Sequence, residues 1–278
     1  MPLPPLLRIL KLNRLRKAAA RKTLPHLADE ESRRVFMEHV RKNLSVTRLA
    51  VPTDASTLVP LRIRELGGGT IHCRSGLSDL GVVYDTFCGC YHPPPDGIGE
   101  VRTILDLGSN IGLTVAHMAA VYPEARILGV ELDAGNFELA QRNTSAYGER
   151  CRILHAAVWH EAREVAYAGA RESGYAIVSG EGNAQTTAVP GVTVDALIEE
   201  LGGGEIDYVK MDIEGAEKEV LANAGSWLPR VRSIKVEVHP EKASTLYTLG
   251  DCIDDLVRHG FDCAVDPRHH ACIVGVRP

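Results

Sequence analysis

Thr103-Ile-Leu-Asp106-Leu-Gly108-Ser109-Asn110-Ile-Gly112-Leu113 is the stretch on which the fold turns. Its first five residues open with β-forming Thr103 and are otherwise apolar except for Asp106. They run directly into a turn with two glycines and then into the helical pattern of Leu113–Val121. A strand that feeds a glycine turn and a helix sets backbone N–H groups and a helix N-terminus at the strand's carboxyl end, where open α/β sheets hold their ligands. Gly108 suits the tight turn, Gly112 is expected to let the helix sit close to the strand, and Ser109 and Asn110 complete the loop.

Downstream, buried-strand and helix signals alternate. Strands are expected at Thr103–Leu107, Arg126–Leu132, Arg152–Val158, Asp207–Asp212, Ser233–Val238, Asp262–Val265 and Ala271–Val276. Helices are expected at Leu113–Val121, Asn136–Tyr147, Val194–Leu201, Ala216–Ala224 and Ser244–His259. This alternation predicts an α/β domain with a mostly parallel sheet of seven strands covered on both faces, and right-handed crossovers make it doubly wound. Residues 161–192 interrupt the pattern as a β-rich ribbon. Upstream, Leu61–Arg64, Gly69–His72 and Val82–Tyr84 read as short strands, residues 28–45 as a surface helix, and Pro93-Pro-Pro-Asp-Gly97 as a stop. The expected division is therefore a helical and β-rich appendage over 1–97, for substrate recognition or a dimer contact, and a ligand-binding domain over 98–278.

The 278 residues carry a net charge of −5, which argues against a surface built for nucleic acid. Residues 1–42 nevertheless hold eleven Lys/Arg against four acids, and Leu6, Leu7, Leu10 and Leu15 alternate there with basic residues. A helix over residues 6–22 would suit packing on the domain, a second subunit or a membrane surface, although Ile9 and Leu12 blur its apolar face. The seven cysteines do not form a disulfide framework or a zinc-spaced pair of clusters, no run approaches a membrane span, and no signal core opens the chain. A cytoplasmic location is expected.

The chemistry follows from the strand ends. A carboxylate such as Asp106 gains nothing beside a phosphate, whereas a ligand with a cationic end gains a charge-assisted hydrogen bond. S-adenosylmethionine carries an ammonium group and no phosphate. Arg126-Ile-Leu-Gly-Val-Glu131 is a second strand ending in an acid 25 positions after Asp106, as expected of a ribose ligand, with Asp133 capping the next helix. The third strand ends at His155-Ala156-Ala157-Val-Trp159. Backbone near Ala156 and Ala157 is expected beside the adenine, with Trp159 as core and His155 as a structural histidine. Asp212, also placed by the cofactor, and Glu214 stand at the end of the fourth strand, Glu237 and His239 on one face of the fifth. Together these four make a polar cluster able to orient and deprotonate a hydroxyl, with His239 as base and Asp212, Glu214 and Glu237 in support. The same oxygens could hold Mg²⁺ on Asp212 and Glu237. His269-His270 reads as a solvated turn.

These signals resemble the FkbM family of S-adenosylmethionine-dependent methyltransferases, from about Val101 to Pro240. The resemblance rests on Asp106-Leu-Gly-Ser-Asn-Ile-Gly112, Val130-Glu131 with Asn143, Ala157-Val-Trp159, Thr193-Val-Asp-Ala-Leu197, Lys210-Met-Asp-Ile-Glu-Gly-Ala-Glu217 and Glu237-Val-His239. It implies a Rossmann-like class I methyltransferase sheet whose last strand is antiparallel. The implied reaction is methyl transfer to a hydroxyl of a sugar, polysaccharide or glycolipid, or of a macrolide or polyketide. Val130-Glu131-Leu-Asp133 departs from the common pattern, in which a proline follows the acid. A nicotinamide-dependent oxidoreductase is the competing enzyme, disfavoured by Asp106 and by Asn110 where a glycine normally admits pyrophosphate. A non-catalytic binding protein on the same fold is the competing class.

Overall fold

A computed structural model describes residues 14, 16–44, 57–75, 78–168, 176–177, 187–240 and 246–278. The leucines of the expected N-terminal amphipathic helix, Leu6 through Leu15, lie outside the described residues, whereas 16–23 are helical. Two compact units divide between Cys90 and Tyr91, ahead of the Pro93–Gly97 run at which the sequence signals change.

In the first unit, helix α1 (Glu30–Leu44) accompanies a hairpin of β1 (Leu58–Ile63) and β2 (Gly69–Arg74). Asp29 accepts from Ser32 N at 2.8 Å at the start of α1, and Leu27, Phe36, Leu61, Ile63 and Ile71 form the core. Val82–Tyr84, expected as a strand, belongs instead to helix α2 (Asp79–Tyr84), which continues as one wider turn to Gly89. The burial of Asp79, Val83, Thr86 and Phe87 has helical spacing, and that face overrides the β preference of the paired valines. Asp79 is wholly buried because Arg74 grips it with Nε at 3.0 Å and Nη2 at 2.9 Å.

The second unit is built on a seven-stranded sheet. Its strands are β3 (Thr103–Leu107), β4 (Arg126–Glu131), β5 (Cys151–His155), β10 (Ile206–Met211), β11 (Val231–Glu237), β12 (Asp262–Val265) and β13 (Cys272–Val276). Their order is β12-β13-β11-β10-β3-β4-β5. β5, β4, β3, β10 and β11 are mutually parallel, while β13 runs antiparallel to both β11 and β12. The order reverses between β3 and β10, which opens a crevice at the carboxyl ends of the central strands.

Alternation along the strands builds two cores. Leu105, Leu107, Val209, Met211, Ile234 and Val236 pack on α5 (Val194–Glu200), α6 (Glu217–Ala222) and α7 (Leu249–Arg258). Ile104, Ile127 and Tyr208 pack on α3 (Leu113–Val121) and α4 (Ala134–Thr144). The helix expected from Ser244 begins at Leu249, where Thr248 and Asp251 cap reciprocally; Ser244 itself lies outside the described residues. The strand expected over Arg152–Val158 splits. β5 stays in the main sheet, and β6 (Ala157–Val158) leaves it to pair with β9 (Thr187–Val192). With β7 (Glu164–Ala168) and β8 (Ala176–Ile177), these make the expected ribbon.

A strap through Tyr91–Pro93 crosses the second unit. Tyr208 Oη donates to His92 O at 2.7 Å, and Lys235 Nζ donates to the carbonyls of Tyr91 and Pro93. Residues read as part of the appendage thus belong to the sheet domain.

Candidate functional site

The loop after β3 is closed by its own backbone. Gly108 N and Ser109 N both donate to Val130 O, at 3.0 and 2.9 Å, and Gly108 has φ +86°. A Cβ on Gly108 would lie 1.8 Å from Asp212 O, so the loop touches the end of β10 with no room for a side chain. Asn110 also has positive φ; its N donates to Glu131 Oε2 at 2.8 Å and its Oδ1 accepts from Ile111 N at 2.7 Å. Gly112 does allow a close approach, but to helix α4 rather than to the strand: a Cβ there would meet Ala140 Cα at 2.8 Å. Ser109 is buried, with its hydroxyl donating to Asp106 O, and Gly129 has no side chain because one would strike that hydroxyl at 2.4 Å.

Asp106 lies on the α3 face of the sheet and is wholly buried. Its Oδ2 accepts from Thr114 Oγ1 at 2.5 Å; its Oδ1 is 3.4 Å from Lys210 Nζ and has no hydrogen-bond partner among the described residues. Lys210 stands opposite Asp106 in the β10–β3 register. Its ammonium donates to Gly108 O at 2.9 Å and also lies 3.3 Å from Asp212 Oδ2. Burial works against its charge, but Asp106, Asp212 and Glu237 outweigh that and raise its pKa, so the lysine stays protonated. One cation thus joins the loop carbonyl, the buried carboxylate and the acid at the end of β10.

At the end of β4, Glu131 is buried and accepts from Asn110 N at 2.8 Å, Asp133 N at 2.9 Å and Asn136 Nδ2 at 3.4 Å. A carboxylate offers about four acceptor positions, so one remains for a ligand hydroxyl. Burial raises its pKa from 4.5 to about 7 despite the two backbone donors. Asp133 caps α4 by accepting from Asn136 N. Ala156 and Ala157 are buried beside it, with Ala156 N donating to Glu131 O. Trp159 is core, its indole N–H without a partner among the described residues, while His155 stacks on Phe137 and contacts Leu132 O.

The four candidate polar residues converge around one ring. Asp212 Oδ1, Glu214 Oε2 and Glu237 Oε1 lie 3.7, 3.6 and 3.8 Å from His239 Nε2. His239 Nδ1 is 3.1 Å from Glu217 Oε1, which also accepts from Ile213 N and Gly215 N at 3.2 Å each. Burial opposes a charge on His239, but the Glu217 hydrogen bond, then Asp212, Glu217 and Glu237, carry its pKa from 6.5 to about 9. In the ligand-free protein the imidazole is therefore protonated at neutral pH.

Four further participants escape local sequence patterns. Lys210 and Glu217 lie inside the Lys210–Glu217 motif without a role assigned by spacing. Tyr91 ends the stretch read as rich in β-formers, with no role assigned, and His269 comes from a segment read as a turn. Tyr91 Oη donates to Glu237 Oε2 at 3.3 Å, and its ring stacks on His269 at 4.3 Å. His269 is turned inward, not solvated as the sequence suggests: Nε2 lies 3.8 Å from Glu237 Oε1 and Nδ1 3.3 Å from Cys272 Sγ. His270 is exposed, so the two histidines do not form a pair.

Two of these groups set a stability prediction. Glu131 and His239 both hold protons more tightly in the folded chain than in the unfolded one, so each contribution is lost as pH rises. For Glu131 the window runs from 4.5 through about 7, and for His239 from 6.5 through about 9. The unfolding midpoint of the ligand-free protein should fall on going from pH 6.5 to 9, as followed by scanning calorimetry; a rise across that interval would contradict the protonated imidazole.

Comparison with known proteins adds to this geometry. The family model described as the methyltransferase FkbM domain matches residues 106–263, more than half of the chain. The AMB antimetabolite synthetase AmbE of Pseudomonas aeruginosa is 26% identical over 214 residues, a match covering 62% of this chain and 10% of that protein. The chain thus spans about a tenth of that curated relative's length. Among solved structures, the pyocyanin biosynthetic protein PhzM is similar at 16% identity and TM-score 0.40, covering 72% of this chain and 58% of that chain. Aeropyrum pernix fibrillarin, solved with S-adenosyl-L-methionine natively bound, is similar at 16% identity and TM-score 0.37, covering 64% of this chain and 68% of that one.

Proposed function

We propose, for a chain that belongs to the FkbM methyltransferase domain family, transfer of a methyl group from S-adenosylmethionine to a hydroxyl of a sugar, polysaccharide or glycolipid in the cytoplasm. The observation that carries the hydroxyl acceptor is the convergence of Asp212, Glu214 and Glu237 on His239 at the crevice where strand order reverses. Carboxylates and an imidazole set together there suit a hydroxyl-rich ligand, which both accepts and donates hydrogen bonds.

The residues present fit the cofactor. Asp106 Oδ1 is a buried acceptor without a hydrogen-bond partner among the described residues, Gly108 lets backbone approach closely, and Glu131 keeps an acceptor position for a ribose hydroxyl. When bound, S-adenosylmethionine supplies a sulfonium whose methyl is already electrophilic. What remains for the protein is to align the acceptor oxygen and receive its proton. Asp212 is tied to the cofactor loop through Lys210 and faces His239, so it sets the acceptor against the loop. His239 receives a proton only when it has lost its own; below its raised pKa it donates to the acceptor oxygen and leaves the proton to the carboxylates around it.

The test uses the full chain. S-adenosylhomocysteine binding is measured by calorimetry, and label from methyl-labelled cofactor is followed into fractionated cell glycans and lipids. His239→Ala should cut labelling by ~100-fold while cofactor affinity stays within a few-fold, the range expected on removing one proton-transfer group. Absence of S-adenosylhomocysteine binding, or label confined to molecules without a hydroxyl acceptor, would overturn the proposal.

A further inference from the structure

We infer that the polar cluster at the ends of β10 and β11 is a binding site for one divalent cation of the manganese(II) kind, held by Asp212, Glu214 and His239 with Glu237 beside it, and with the acceptor hydroxyl received at its open positions. The second half of this rests on the methyltransferase reading above, and with the cation bound His239 Nε2 is a ligand, so the acceptor proton passes to Glu237.

The geometry of His239 carries the inference. Its Nε2 faces Glu214 Oε2 and Asp212 Oδ1 at 3.6 and 3.7 Å, too far for hydrogen bonds, and the ligand atoms of these three residues all lie within 4.8 Å of one another. Donors placed about 2.2 Å from a common ion lie roughly 3 to 3.6 Å apart, so the three side chains would draw together around an ion. The other ring nitrogen is already engaged: Nδ1 lies against Glu217, whose carboxylate is buried and clamped by two backbone N–H groups. With Nδ1–H donated to Glu217, a bound cation displaces the Nε2 proton to solvent and takes that nitrogen's lone pair, the arrangement by which a carboxylate behind a histidine fixes its tautomer for a metal.

The carboxylates are set in the same way. Asp212 turns Oδ2 to Lys210 and Oδ1 to His239, and Glu237 gives Oε2 to Tyr91 and turns Oε1 to His239. Glu214 reaches the cluster from a left-handed backbone, φ 57°, a conformation that costs energy in a non-glycine residue and recurs at ligand clamps. Among the described residues Lys210 is the lysine at this cluster, and its charge is shared between Asp106 and Asp212.

The donor set selects among cations. Two carboxylates suit Mg²⁺, Ca²⁺ and Mn²⁺, whereas imidazole suits first-row transition metals, and manganese(II) meets both demands. Mg²⁺ prefers oxygen ligands and retains its waters, so it should bind more weakly here.

Titrating the full chain with Mn²⁺ and following loss of the free-ion signal by electron paramagnetic resonance should show one saturable site. Pulsed spectra should contain a nitrogen coupling from His239. His239→Ala should remove that coupling, and His239→Ala, Glu214→Gln and Glu217→Gln should each weaken binding by ~10-fold or more. Circular dichroism identifies any variant that is not folded, and the coupling in the parent protein needs no variant. No saturable binding, or binding without nitrogen coupling and unchanged in folded His239→Ala, would overturn the cation site. S-adenosylhomocysteine calorimetry on the same samples separates the two readings. Retained cofactor binding without Mn²⁺ binding refutes the cation alone, whereas loss of cofactor binding refutes the methyltransferase reading.

Discussion

Lys210→Met should destabilise the protein by about 3–5 kcal/mol, the range for removing one partner of a buried ion pair, and should abolish cofactor binding with it. The ammonium is the one counter-charge facing Asp106 Oδ1 among the described residues, and it also steadies Asp212 and the carbonyl of Gly108. Methionine fills similar volume, so packing is kept while Asp106 is left charged and wholly buried. A second change separates charge from shape: Lys210→Met with Asp106→Asn should recover much of the loss, because a neutral amide costs far less to bury. Denaturant titration of the single and double variants against the parent protein checks this. A single-variant loss under about 1 kcal/mol would show that the pair is not what holds the loop against β10.

Gly108→Ala should be as damaging for a different reason. A left-handed φ disfavours alanine, and the added methyl would overlap Asp212 O at 1.8 Å. Backbone lies on both sides of that contact, so relief requires the loop after β3 to part from β10. The expected result is a loss of at least ~3 kcal/mol in stability, in the range of severe steric strain. S-adenosylhomocysteine binding should be too weak to measure by calorimetry. Gly97→Ala is the control, since that glycine has nearly the same positive φ, 87°, but a methyl group added there would meet nothing within 4 Å. It should cost about 1–2 kcal/mol, the backbone penalty alone. Equal effects at the two positions would mean that the contact with Asp212 is not decisive.

The same loop shows how far local pattern reaches. Thr103–Leu107 and Leu113–Val121 are legible to the residue, because a short, almost wholly buried β-forming run ends at a glycine turn and a continuous apolar helix-forming run follows it. The acid ending β4 and the four polar residues after β10 and β11 are legible as well, since strand ends in a parallel sheet all face one crevice. Val82–Tyr84 misleads because β preference is weak beside a buried helical face. The partner of Gly112 misleads because close approach can be recognised from a glycine, but the approaching element cannot.

By itself, then, the sequence determined the order and type of the elements in the sheet domain and which residues stand at the strand ends. Those properties depend on spacings of two to four residues along the chain. Tertiary structure alone decided that Lys210 lies opposite Asp106, that Glu217 backs His239, and that Tyr91 and His269 close on Glu237. These pairs depend on crossover packing, strand register and where a strap and a turn come to rest, with Tyr91 and Glu237 lying 146 positions apart. No local rule spans that distance. The charges on Lys210 and His239 follow from the same assembly, because each is set by carboxylates gathered from separate strands and loops.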